Sequence, residues 1–256
     1  YDSRIIQGVR EKFTNQNWRL MPEEKVLWVI SSLFSVLKDK HNEISVYYFM
    51  DFCDLLREIG RMTEAKIQRE ITTFFVNTYI ISDKGETRNG WLREIDVPLN
   101  AMHLNLFGGR SWEQGVFSVL VSCLTEIPYE YHMVCIRWTL KCLEKDRGVL
   151  YYYGMLLISY YYFTGKAETR MRALCGLSYI RGSLEAGGKY FELRLQHVFQ
   201  ALENLKVSNQ WFGEKGFVQT AEGDQEYQEM FWEPVLALKK KSVNPAIRHW
   251  DSLVQE

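Results

Sequence analysis

The chain has 256 residues, of which 46% are apolar and 25% charged. That excludes a disordered tail and leaves room for one large domain or two of about 100–150 residues each. A net charge of −1 counts against a surface that is basic all over, as strong nonspecific nucleic-acid binders have, while a specific binder needs positive charge on one face only.

Residues 1–17 are polar and mixed and read as a lead-in helix or arm. Pro22 followed by Glu23 and Glu24 marks a helix start, since Pro suits the first turn and acids suit the helix dipole. Val26, Leu27, Val29, Ile30, Leu33, Phe34 and Leu37 then recur at helical spacing. A second amphipathic run, Tyr47 to Ile59, stops at Gly60, and a third runs from Thr63, as N-cap, to Phe75. Val76 to Ser82 and Trp91 to Val97 read as two strands joined by the polar turn Asp83 to Gly90. Helix, turn, helix and two-stranded wing is the order of a winged helix. Pro98 to Arg110 reads as a boundary, followed by helices at Trp112 to Leu124 and Tyr131 to Leu143.

The second half repeats that order. Leu150 to Phe163 is an apolar helix, shorter than the ~20 residues a membrane span needs and rich in Tyr hydroxyls, so it reads as buried. Glu168 to Leu177 reads as a short helix with Met171, Leu174 and Cys175 inward, and Arg181 to Gly188 as a break. Tyr190 to Leu205 is the next helix, and Gln210 to Phe212 with Phe217 to Gln219 stands in the wing position. The expected class is mainly α with small β wings (α+β): a winged-helix domain over 1–104, a helical connector over 105–148 and a second winged-helix domain over 149–256.

In the first recognition helix Lys66, Gln68, Arg69, Thr72 and Thr73 are residue types that reach base edges or phosphates, and Lys84 and Arg88 sit on the first wing. Around the second, Arg170, Arg172, Arg181, Lys189, Arg194, Gln196 and His197 form the more basic group. Lys239, Lys240 and Lys241 make a short basic run that reads more readily as a solvated loop. Five cysteines, odd in number and without a CxxC pair, point to reduced, mostly buried thiols in the cytoplasm. Catalysis has little to stand on. No phosphate-binding loop, HExxH or GxSxG occurs, and Glu126, Glu130 and His132 have no nucleophile beside them. No cofactor or metal is expected. No leader-like stretch opens the chain, and its first residue is not Met, so it reads as starting inside a longer protein.

Two stretches carry a family likeness. One is Glu43 to Val46 with the run to Arg69-Glu70-Ile71 and the Tyr79-Ile80-Ile81 segment; the other is Tyr152 to Gly165 followed by Leu174 to Leu177. In element order they resemble the Rep-type replication initiators of plasmids, which carry tandem winged helices. The resemblance implies sequence-specific binding of double-stranded DNA in replication initiation, replication proteins and a homodimer as further partners, and no membrane. The alternative is a protein-interaction scaffold or adaptor without DNA binding. A third reading, an aromatic-rich all-helical structural protein of a virus or mobile element, gains if Val76 to Val97 is helical.

Overall fold

In a computed structural model the described residues are 8, 11, 17–39, 46–81, 112–146, 148–208 and 210–251. Of these, 82% are helical and none lies in a β-strand. The class is therefore all-α, and the expected α+β winged-helix architecture is corrected. The chain divides into two units, Tyr1–Cys135 and Ile136–Glu256.

The first unit holds α1 (Glu23–Asp39), α2 (Val46–Met62), α3 (Ala65–Phe75) and α4 (Trp112–Ser122). Val26, Val29, Ile30, Leu33 and Leu37 bury one stripe of α1. In α3 the buried stripe Ile67, Ile71, Phe75 does not stop where a strand was expected. It continues through Val76, Tyr79 and Ile80 in a π-helical turn, Val76–Ile80, and only Ile81 is extended. Those intervals of three and four are helical spacing. The β-branched and aromatic content of the segment suggested a strand, but burial along one helical face overrides that preference. The other expected strand, Trp91 to Val97, lies outside the described residues.

Small residues let the helices of this unit meet. A β-carbon on Gly115 of α4 would lie 2.7 Å from a ring carbon of Phe49 and 3.1 Å from the Cys53 sulfur, both on α2. The Phe49 ring in turn packs 4.6 Å from Trp112 and 5.4 Å from Tyr79, centroid to centroid. Phe34 of α1 stacks on Phe74 of α3 at 4.1 Å with the rings almost parallel.

The second unit contains most of α5 (His132–Lys145), then α6 (Val149–Thr164), α7 (Ala167–Glu185), α8 (Phe191–Val207) and α9 (Gly216–Glu222). α6 is apolar on every side, so it must be buried on every side. It packs against both α7 and α8, and Tyr151, Met155, Leu157, Ile158, Tyr161 and Tyr162 are fully buried. Gly176 admits Ile158 at the α6–α7 crossing, where an added β-carbon would stand 2.9 Å from it. α7 is one helix rather than a short helix and a break: Ala173, Leu177, Ile180 and Leu184 are its buried stripe. The inward face is therefore not the expected Met171–Cys175 face, and both of those residues are exposed. The chain turns at Gly187 and Gly188, whose φ angles of +68° and +88° suit glycine.

The second wing is also helical or turn. Gln210 to Phe212 is a turn, and Phe217 to Gln219 lies within α9, where Phe217, Val218 and Ala221 are buried. After α9 come α10 (Gln225–Tyr227), a π turn (Gln228–Trp232), α11 (Glu233–Ala237), a 3-10 turn (Leu238–Lys241) and α12 (Pro245–Arg248).

Two glycine substitutions test this packing. Gly115→Val places atoms where Phe49 and Cys53 already stand, and should cost about 1–3 kcal/mol. Gly182→Ala, in α7 with nothing within 4 Å of the new carbon, should stabilise by about 0.5–1 kcal/mol. Urea midpoints at unchanged m would report both.

Candidate functional site

The residues expected to read DNA from α3 are largely engaged within the first unit. Lys66 Nζ donates to Glu23 Oε1 at 2.6 Å, and Arg69 Nε donates to Glu126 Oε2 at 3.1 Å. Gln68 Nε2 donates to the Gly60 carbonyl at 2.7 Å. Thr72 is fully buried and its hydroxyl donates to the Arg69 and Glu126 carbonyls. Thr73 is half-buried. An α3 facing a groove would hold these groups open, whereas here each cation has a carboxylate beside it. Lys84 and Arg88 lie outside the described residues. The expected N-cap also differs: the cap is Glu64, with no side-chain cap bond, and Thr63 Oγ1 donates to the Ile59 carbonyl instead.

In the second unit two of the expected arginines, Arg170 and Arg194, serve the tyrosines of α6. Arg170 lies 4.1 Å over the Tyr162 ring and donates to the Tyr162 hydroxyl at 2.6 Å and to Asp224 Oδ2 at 2.8 Å. Tyr162 donates its own proton to Asp224 Oδ1 at 2.9 Å, and Asp224 Oδ1 also accepts from the Tyr227 amide at the start of α10. Burial pushes the Asp224 carboxyl up, but the bonds from Tyr227, Arg170 and Tyr162 outweigh it and leave it below the ordinary carboxylate range. Burial, followed by the bond to Asp224, pushes the Tyr162 hydroxyl well up. This is a ligated structural corner rather than a reactive one.

Arg194 sits over Tyr151 (5.4 Å) and Tyr190 (6.0 Å) and donates to the Asp146 carbonyl at 3.2 Å. Arg181 donates to the Met230 carbonyl at 3.0 Å. His197 is half-buried, and that burial lowers its imidazole from the usual value. Of the residues expected around the second reader, Lys189 and Gln196 are exposed and Arg172 is half-buried. The structure thus separates the expected group into arginines tied to α6 and α7 packing and a few open polar side chains.

The carboxylate–histidine trio is likewise structural. Glu126 holds Arg69, and the His132 ring nitrogen Nε2 lies 2.8 Å from the Ile127 carbonyl, where it donates. Among the described residues no group of three or more His, Cys, Asp or Glu could hold a metal ion. A cleft of about 430 Å³ does open in the first unit, lined among others by Trp18, Val26, Met62 and Ile67 with Arg19 and Arg61. The sequence reading did not pick it out, because two segments at least 35 residues apart, Trp18 to Val26 and Arg61 to Ile67, form it. No helix of the described residues is long and apolar enough to cross a membrane.

Arg194→Ala and Arg170→Ala should each lower stability by about 1–2 kcal/mol, because both remove hydrogen bonds and ring packing from partly buried sites. Acid should also destabilise the fold. His197 and His132 are held below the ordinary imidazole value by burial. Below about pH 6.5 the unfolded chain therefore takes up protons that the folded chain refuses, and stability falls with pH. Thermal unfolding followed from pH 7.5 to 5.5 would show this loss, and His197→Gln should flatten it.

No protein-family model, curated protein or solved structure matches the chain.

Proposed function

We propose that the chain is a non-catalytic helical scaffold that binds other proteins through helix faces and does not read duplex sequence. The observation that supports this most is the state of the expected readers. Lys66, Arg69 and Arg170 are each paired with a carboxylate of their own unit. A phosphate approaching such a pair meets little net charge, and an arginine pulled away from it leaves an acid without its partner.

Apolar side chains stand out instead. Trp28 is 67% exposed and Met171 68%, and Met171, Cys175 and Tyr179 line one face of α7 at intervals of four. An apolar stripe at that spacing is the usual footing for helix-face recognition. The helical course of Val76–Ile80 also favours the all-helical structural reading over an initiator with wings. Replication initiation would have to work without the second wing.

The reading is tested in two arms. In the first, affinities for a panel of unrelated duplexes are compared by fluorescence anisotropy. A sequence reader prefers its site by about 10³-fold or more, whereas the scaffold should show no such preference. A single favoured duplex whose preference is lost in Gln196→Ala would restore the reader. In the second arm Met171 and Tyr179 are both changed to Asp. At least one protein that co-purifies with the wild type after nuclease treatment should be lost; an unchanged set counts against the scaffold.

A further inference from the structure

Five basic residues, Lys206, Lys239, Lys240, Lys241 and Arg248, gather at one tip of the second unit. It forms where the 3-10 turn Leu238–Lys241 passes through a short loop into α12. The loop is fixed by Glu192 of α8. Glu192 Oε2 accepts from the Ser242 hydroxyl at 2.9 Å, and Oε1 accepts from the Val243 amide at 2.8 Å. Asn244 then caps α12 by accepting from the Ala246 amide at 3.0 Å. The far side is fixed as well. Lys239 Nζ donates to the Trp250 carbonyl at 2.8 Å, Lys206 Nζ to the Asp251 carbonyl at 2.9 Å, and Trp250 Nε1 to Glu203 Oε2 at 2.8 Å.

These bonds have an electrostatic consequence. Lys206 and Lys239 are anchored by neutral carbonyls, which hold the ammonium groups in place without cancelling their charge. Lys240, Lys241 and Arg248 are exposed, and none of them is among the ion pairs of the described residues. Three acids share the place: Glu192, bound to Ser242 and Val243, Glu203, bound to the Trp250 indole, and Asp251; the neutral partners leave Glu192 and Glu203 charged, so five cations stand against three acids. Beside the cations stand His249, exposed, and the half-buried Trp250 ring, braced by Phe199 at 5.5 Å and Trp232 at 6.0 Å. A net charge of −1 for the whole chain makes this local excess the more distinct.

We propose that this tip binds single-stranded nucleic acid without sequence preference. Lys240, Lys241 and Arg248 hold successive phosphates, and His249 offers a ring on which a base stacks. Cations interleaved with aromatic rings are the pattern that single strands use. A duplex reader would need a helix presented to a groove, and α12 has only four residues. Val243 is exposed beside the lysines, but one valine falls short of the apolar face that membrane insertion needs. This inference goes beyond the scaffold reading and uses none of its residues, so either can fail alone.

The test uses the full chain with a fluorescein-labelled oligouridine of about 20 nucleotides, a duplex of equal length and vesicles of phosphatidylcholine with phosphatidylserine. The oligouridine should bind at about 50 mM salt and weaken as salt rises, with a log–log slope near −0.7 for each phosphate held. The triple variant Lys240→Ala, Lys241→Ala, Arg248→Ala should lose at least tenfold in affinity and flatten that slope by about two units, as three lost contacts require. His249→Ala should weaken binding severalfold at unchanged slope. All four side chains are exposed, and unchanged circular dichroism would confirm that the variants fold. Absence of binding at low salt, an unaltered slope in the triple variant, a duplex bound as tightly as the single strand, or vesicles bound in its place would each overturn the proposal.

Discussion

A helix with no polar side has to be surrounded, and α6 imposes that condition on the whole second unit. Its aliphatic residues are satisfied by contact with α7 and α8, where Ile158 enters the space left by Gly176. Its tyrosines raise a second requirement, since each ring carries a hydroxyl that burial takes away from water. Tyr162 meets it with Asp224 and Arg170, Tyr151 with Ser183, and Tyr152 by accepting from Asn204. Arg170 and Arg194, which looked like phosphate ligands, are thus a response to tyrosine burial. Arg170 serves three roles at once: it lies over a ring, it donates to that ring's hydroxyl, and it balances the acid that caps α10.

The first unit meets a similar condition with different means. α1, α2 and α3 are amphipathic, so each needs only one covered face, whereas α4 is buried on nearly every side from Trp112 to Leu120. α2 and α4 approach closely at Gly115, and a chain of rings from Trp112 through Phe49 and Tyr79 to Phe75 fills the space next to that contact. Surface ion pairs such as Lys66 with Glu23 add little stability of their own. Their effect here is on charge, because they remove open cations from α3.

Much of this was legible from residue spacing. The helix from Pro22 and the inward positions Ile67, Ile71 and Phe75 follow from periodicity, and the burial of Leu150 to Phe163 from its unbroken apolar character. The strands expected to begin at Val76 and at Phe217 misled for one reason. Val76 to Ile80 and Phe217 to Gln219 are rich in residues that favour strands, but such short apolar runs fit a buried helical face equally well. In α7 the error was rotational: the face was placed on Met171 and Cys175, although Ala173, Leu177, Ile180 and Leu184 repeat as regularly and are the ones covered. The fate of the cations was not legible at all. Whether Arg69 faces water or Glu126 depends on residues 57 apart, and no local pattern records that distance. The tip around Lys239 was visible only as a basic run, since Lys206 and Glu192 reach it from another helix.

The cysteines were expected to be mostly buried and reduced, and four of the five are buried. Burial raises the Cys123 thiol to about 11 and the Cys135 thiol to about 12 and lifts Cys53 well above its usual value, so these sulfurs hold their protons and react slowly. Cys175 alone meets the solvent. A maleimide dye added to the native protein should therefore attach at a single point, between Met171 and Tyr179 on α7. The molecule comes with its own mounting position for a spectroscopic reporter, set on the exposed face of α7.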